Sequence, residues 1–169
     1  MYKVIPYVPE YALQVSKLYH SSVQNIDETY YSALQKQAWS KAPRSAYHWN
    51  KRLNNSKSWL MVDTRHRVGS CYLCIGFINV ETHFNSRGYI DSLYVLPDYQ
   101  GMGVASALYR ELELWAIDTA VECLSVDASK LSRELFLSYG FKLHHNRYQE
   151  KCGEIFLAFY LSKQLTNVT

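Results

Sequence analysis

Glycine and proline are scarce in this chain, seven and four among 169 residues, against average usage of roughly 7% and 5%. With so few punctuating residues, a local concentration of them carries information. Two of the seven glycines stand two positions apart just before a helix-like run, in Gln100-Gly101-Met102-Gly103-Val104-Ala105-Ser106. Concentrated charge is also missing. The formal net charge is +3, and the densest basic groups are Lys51-Arg52 and Arg65-His66-Arg67. These read as solvated surface, not as the basic stripe of a nucleic-acid-binding face, so no nucleic-acid partner is expected. Long apolar runs are absent too: the longest, Cys71 to Ile78, falls far short of the roughly 18 residues that a membrane helix needs. Met1 to Pro9 lacks the basic start and apolar stretch of a signal peptide. The expectation is a cytoplasmic protein with no membrane partner. No low-complexity tract or internal repeat is present, and 48% hydrophobic residues exclude disorder as the dominant state. Residues 1–169 are expected to form a single domain.

Cysteine is limited to four residues. Cys71 and Cys74 form one Cys-x-x-Cys pair, but no second pair completes a zinc site. The pair falls in a strand-like run and not at a helix start, so buried free thiols fit better than a redox couple. His144 and His145, as strand neighbours, are expected to point to opposite faces. No metal site is expected.

What is present reads as alternating strands and helices. Val4 to Tyr7 suggests a strand, and Pro9 suits a helix start before the stripe Leu13, Val15, Leu18, Tyr19 and Val23. An aromatic-rich stretch from Tyr30 to Trp49 predicts one or two short helices broken near Pro43. Trp59 to Val62 and Cys71 to Val80 read as a hairpin joined by a polar loop, Asp63 to Ser70. Tyr89 to Val95 is a further strand, stopped by Pro97. Val104, Leu108, Leu112, Trp115 and Thr119 then recur at helical spacing. Cys123 to Ala128 reads as a strand and Lys130 to Tyr139 as a short helix ended by Gly140. Two strands, Phe141 to Gln149 and Ile155 to Leu161, close the order. That order is a mixed α/β sheet, neither a bundle nor a sandwich.

Between a strand and a helix, glycines let a ligand approach the backbone, and the amides at the helix start attract an anion. Phosphate motifs are separated by spacing. A P-loop is excluded, because no Gly-Lys-Ser/Thr follows. A dinucleotide fingerprint would place its third small residue at Ser106, and too little chain follows for a second mononucleotide half. Gln100-Gly101-Met102-Gly103-Val104-Ala105 instead resembles the acyl-CoA loop of the GNAT acetyltransferase superfamily, Gln/Arg-x-x-Gly-x-Gly/Ala. Tyr89 to Tyr99 resembles that superfamily's preceding strand with its Val-x-Pro-x-Tyr ending, and Leu135 to Phe141 resembles the later motif ending in Gly-Phe.

The resemblance implies a mixed, largely antiparallel central sheet of about seven strands with flanking helices, splayed at the acyl-CoA site. It implies acetyl-CoA as cosubstrate. Backbone groups at Leu93, Tyr94 and Val95 would pair with the pantetheine arm, and amides of Gly101, Met102, Gly103, Val104, Ala105 and Ser106 would hold the pyrophosphate. Gln100 would shape the loop, and Ser129 takes the place of a common CoA-contacting Asn. Asp91 is the candidate general base, sharing strand parity with Leu93 and Val95 unless a bulge intervenes. The superfamily's leaving-group tyrosine corresponds to Phe136, which is expected to pack against the pantetheine arm; Tyr139 is a candidate substitute. Tyr30 and Trp39 are expected to line the acceptor pocket. The implied function is N-acetyl transfer to a primary amine, of a small molecule in preference to a protein or peptide, by direct attack in a ternary complex. A catalytically degenerate acyl-CoA sensor is the alternative, motivated by Phe136. A homodimer paired through the last strand is a further expectation.

Overall fold

The strand-like runs assemble into one sheet in the computed structural model, which describes residues 1–165. Its strands are β1 (Tyr2–Pro6), β2 (Lys57–Val68), β3 (Cys71–Val80), β4 (Tyr89–Val95), β5 (Cys123–Ala128), β6 (Lys142–Lys151) and β7 (Glu154–Gln164). They lie in the order β1-β2-β3-β4-β5-β7-β6. Every neighbouring pair is antiparallel except β4 with β5. The mixed, largely antiparallel seven-stranded sheet is thus as the family resemblance implies.

Helices cover both faces. On one face α1 (Ala12–Gln24) and α3 (Ala46–Asn54) bury Val15, Leu18, Trp49 and Leu53 against Leu60, Val62 and Phe77 of the sheet. On the other, α4 (Val104–Asp118) buries Leu108, Leu112 and Ala116 against Ile75, Ile78 and Val126. Each such side chain taken from water stabilises the fold by about 1.5–3 kcal/mol. α2 (Ala33–Trp39) starts at a reciprocal cap: Ser32 Oγ accepts from the Gln35 amide at 3.1 Å, and Gln35 Oε1 accepts from the Ser32 amide at 2.9 Å. α5 (Arg133–Ser138) is short and is followed by Gly140 at φ +94°. No helix among the described residues is long and apolar enough to cross a membrane.

Four features differ from expectation. The polar segment 63–68 is strand, not loop: β2 continues to Val68, pairing Arg67 with Tyr72 and Val68 with Cys71, so that the turn shrinks to Gly69 and Ser70. From Arg65 to Val68 the side chains are exposed and the one buried residue of the segment, Asp63, is charged, which hides the strand from any hydrophobic pattern while the backbone ladder persists. A register shift between Leu143 and His145 undoes the opposite-face reading of the two histidines, whose rings lie 5.6 and 5.3 Å from that of Tyr160. The last strand, β7, sits between β5 and β6 with both edges paired, so it offers no edge for a dimer. And the sheet's parity breaks at Asp91, with consequences for the site. All four cysteines are free, and burial pushes the Cys74 thiol up to about 12.

Candidate active site

The parallel pairing of β4 with β5 stops after two positions, Tyr89 with Ser125 and Ile90 with Val126. β4 nevertheless stays paired with β3 as far as Val95 opposite Gly76. Beyond Ile90 the edge of β4 facing β5 is therefore open, and a cavity of about 970 Å³ fills the gap. The carbonyl of Val95 is already engaged, accepting from Ser22 Oγ at 3.0 Å and Gln100 Nε2 at 3.2 Å. Gln100 thus ties the loop to the strand, and Val95 has only its N–H to offer a ligand arm. Leu93 and Tyr94 line the same opening.

At the end of this edge the chain turns through a 3-10 segment, Pro97–Tyr99, into α4. Gly101 and Gly103 adopt φ +76° and +80°, a left-handed conformation that costs an L-residue roughly 1–2 kcal/mol. Gly103 is the N-cap of α4 and supplies no side-chain cap, and no acidic residue occupies the first turn. Among the described residues the amides from Gly101 to Ser106 have no protein acceptor. They lie at the positive end of a 15-residue helix, a cradle suited to a phosphate group. Gly101, Gly103, Val104, Ala105 and Ser106 line the cavity. Met102 does not: it is 57% exposed, with its sulfur 3.3 Å from the Tyr2 hydroxyl.

Asp91 lies at the opposite end. The register shift between Asn79 and Val80 pairs these with Ser92 and Ile90, leaving Asp91 as the extra residue of a bulge. Asp91 and Ser92 consequently both reach Arg52 of α3. Arg52 Nε donates to Asp91 Oδ2 at 2.8 Å, and Nη2 to Ser92 Oγ at 3.1 Å. Asn79 Nδ2 donates to the same Oδ2 at 3.3 Å, while Oδ1 has no protein donor among the described residues. Burial opposes the charge on Arg52, but its bond to Asp91 outweighs that, and the guanidinium sits above its ordinary value. Arg52 had been read as solvated surface; it is in fact half-buried and faces the cavity.

A second carboxylate, Asp127 of β5, lines the cavity with a side chain 8% exposed. Its Oδ2 accepts from the Tyr89 hydroxyl at 2.9 Å and Arg147 Nη1 at 3.3 Å, while Oδ1 is shielded from solvent and unpartnered. Burial and this contact raise the Tyr89 hydroxyl. Asp27 adds a third carboxylate to the lining, and Lys151, exposed at the tip of the β6–β7 hairpin, adds a second cation, its Nζ 5.8 Å from the Phe156 ring.

Aromatic side chains wall the space between these charges. Trp39 Nε1 donates to the hydroxyls of Tyr19 at 3.0 Å and Tyr94 at 3.3 Å, and its ring stands edge-on to Tyr31 and Phe156. Burial holds the Tyr94 hydroxyl well above its ordinary value. Tyr30 lines the rim and is half exposed. Ser129 also lines the cavity, its hydroxyl accepting from the amides of Leu131 and Ser132 at 3.2 Å each.

Phe136 contributes to the lining but is 1% exposed, packed edge-on against Phe141 at 5.2 Å. Tyr139 is outside the lining. Its hydroxyl lies 2.7 Å from Ser106 Oγ and its ring stacks on Tyr109 at 4.2 Å. It therefore braces the first turn of α4 from behind and does not present a proton to the cavity. Of the residues singled out from sequence, Tyr139 and Met102 alone fall outside the cavity. Arg52, Asp127 and Lys151 were missed, because each comes from a different element and no local pattern links them.

The model of the acetyltransferase (GNAT) family matches residues 21–141. An uncharacterized N-acetyltransferase of Escherichia coli K12, YafP, is 32% identical over 155 residues, covering 92% of this chain and 91% of its own. A solved GCN5-related N-acetyltransferase from Rhodopseudomonas palustris shares 26% identity with a TM-score of 0.82, over 96% of this chain and 95% of that one. A phosphinothricin acetyltransferase from Sinorhizobium meliloti, solved with acetyl-CoA, has the same fold, with a TM-score of 0.72 at 20% identity over 97% and 88%.

Proposed function

Because the chain belongs to the GNAT acetyltransferase family, we propose that it transfers an acetyl group from acetyl-CoA to the primary amine of a small molecule, by direct attack in a ternary complex. One observation carries this reading: a single cavity runs from the uncapped start of α4, along the open edge of β4, to the free oxygen of Asp91. The first part suits a pyrophosphate, the second an extended amide-bearing arm, and the third an amine.

An aliphatic amine has a reference pKa of about 10.4 and is protonated at neutral pH, so its proton must leave before attack. Asp91 is the base of this scheme, taking that proton at Oδ1 directly or through water. Arg52 and Asn79 act as positioning residues, holding Oδ2 so that Oδ1 faces the cavity. The amine nitrogen then bonds to the thioester carbon, amides near Tyr94 and Val95 stabilise the oxygen's developing charge, and the C–S bond breaks with its electron pair on sulfur. Since a thiol near pKa 8.5 is a fair leaving group, Phe136 in place of a proton donor is compatible with turnover. Ser106, steadied by Tyr139, adds a hydroxyl to the phosphate cradle.

Calorimetry with acetyl-CoA tests the reading at its base. Saturable binding at micromolar ligand is expected, and no binding at high micromolar ligand overturns it.

A further inference from the structure

Groups of opposite sign line the cavity, and some of their polar atoms have no partner within the chain. Asp91 Oδ1 has no protein donor among the described residues, whereas the unpartnered Asp127 Oδ1 is sealed from solvent. Lys151 Nζ has no carboxylate within ion-pair distance among the described residues, although Glu154 is its cross-strand partner on β7. Its surroundings are the Phe156 ring, the Arg52 guanidinium and Asp91, and that carboxylate is already paired with Arg52. Burial and the neighbouring guanidinium both press the Lys151 ammonium below its ordinary value, with Asp91 only partly offsetting them. Arg52, too, has an edge to spare, since Nε and Nη2 are engaged and Nη1 has no acceptor among the described residues. An oxyanion placed between Lys151 and Arg52 would satisfy both cations. An amine on the same molecule would meet the bare oxygen of Asp91.

Resting on the acetyl-transfer reading, we infer that the acceptor is a small amino-carboxylate, whose acidic group docks on Lys151 beside Arg52 while its amine faces Asp91. Lys151 is then the residue that sets specificity, and the aromatic wall of Trp39, Tyr94 and Phe156 receives the body of the molecule. A polyamine would set a second cation against Lys151 and is disfavoured by like charge.

The test measures CoA release with primary amino acids, their carboxamides and diamines, for the native protein and for Lys151→Met and Lys151→Glu. A charge-assisted contact of ordinary strength predicts that native kcat/KM favours the acid over its amide by about 10- to 100-fold. The preference is expected to fall to near parity in Lys151→Met, chiefly through KM, and to turn toward diamines in Lys151→Glu. Native protein that uses carboxamides or diamines as well as acids overturns the inference, as does a Lys151→Met variant that keeps the preference. Acetyl-CoA binding without release to any amine overturns the acetyl-transfer reading itself, and this inference with it.

Discussion

Asp63 and Asp127 are both buried carboxylates at sheet positions, and they are treated in opposite ways. Asp63 Oδ1 accepts from the Arg65 amide at 3.1 Å and Nε at 2.9 Å, and Oδ2 from Arg65 Nη2 at 2.9 Å and the Tyr99 hydroxyl at 3.1 Å. Every oxygen there is satisfied by the chain. At the β4–β5 opening, one oxygen each of Asp91 and Asp127 is left without a protein donor. A closed carboxylate holds a strand extension in place; at the opening the partly exposed Asp91 offers its free oxygen to a ligand, while the bare Asp127 oxygen is sealed from solvent.

The contrast can be broken by substitution, and the largest effect belongs to the open end. Asp91→Asn is expected to lower kcat by about 10²- to 10⁴-fold while acetyl-CoA binding persists in calorimetry; unchanged turnover would remove Asp91 from the chemistry. Gly103→Val is expected to weaken acetyl-CoA binding about 5- to 30-fold, the equivalent of the left-handed strain on an L-residue. At the closed end, Asp63→Asn should lower Tm by several degrees at pH 7. Arg65 holds the Asp63 carboxyl well below its usual range, so its contribution is full above the unfolded pKa of about 3.9 and is lost as pH falls through the lower folded value. Thermal melts should therefore show the native–variant gap constant from pH 7 to about 4 and narrowing below. A gap that widens in acid contradicts the arrangement. Smallest of all, Tyr139→Phe should change kcat by less than about twofold, where a true general acid would cost 10²-fold or more.

The glycine loop and the strand before it could be read from sequence, because a left-handed turn is written in contiguous residues: Gly101 and Gly103 take the conformation that their type allows. The order of strands and helices was legible, and the seven-stranded sheet followed from the family resemblance. The strand character of Asp63 to Val68 was not legible, since a segment whose side chains are polar or exposed carries no hydrophobic period. A bulge near Asp91 could be allowed for but not located from sequence, being a property of β4 against β3 and not of β4 alone. Arg52 stands 39 positions from Asp91 along the chain, next to Lys51, where a basic pair reads as surface. Asp127 enters the site because β5 pairs with β4 and Lys151 because it ends β6 at the β6–β7 hairpin, long-range placements that no local window reports.

CoA-thiol release by the native protein, with acetyl-CoA and a panel of amines, tests the central claim most directly. The expected result is release that requires an amine, saturates with it and favours small molecules over peptides with free N-termini. Tight acetyl-CoA binding with no amine-dependent release would contradict it, and would make the cavity that of an acyl-CoA sensor.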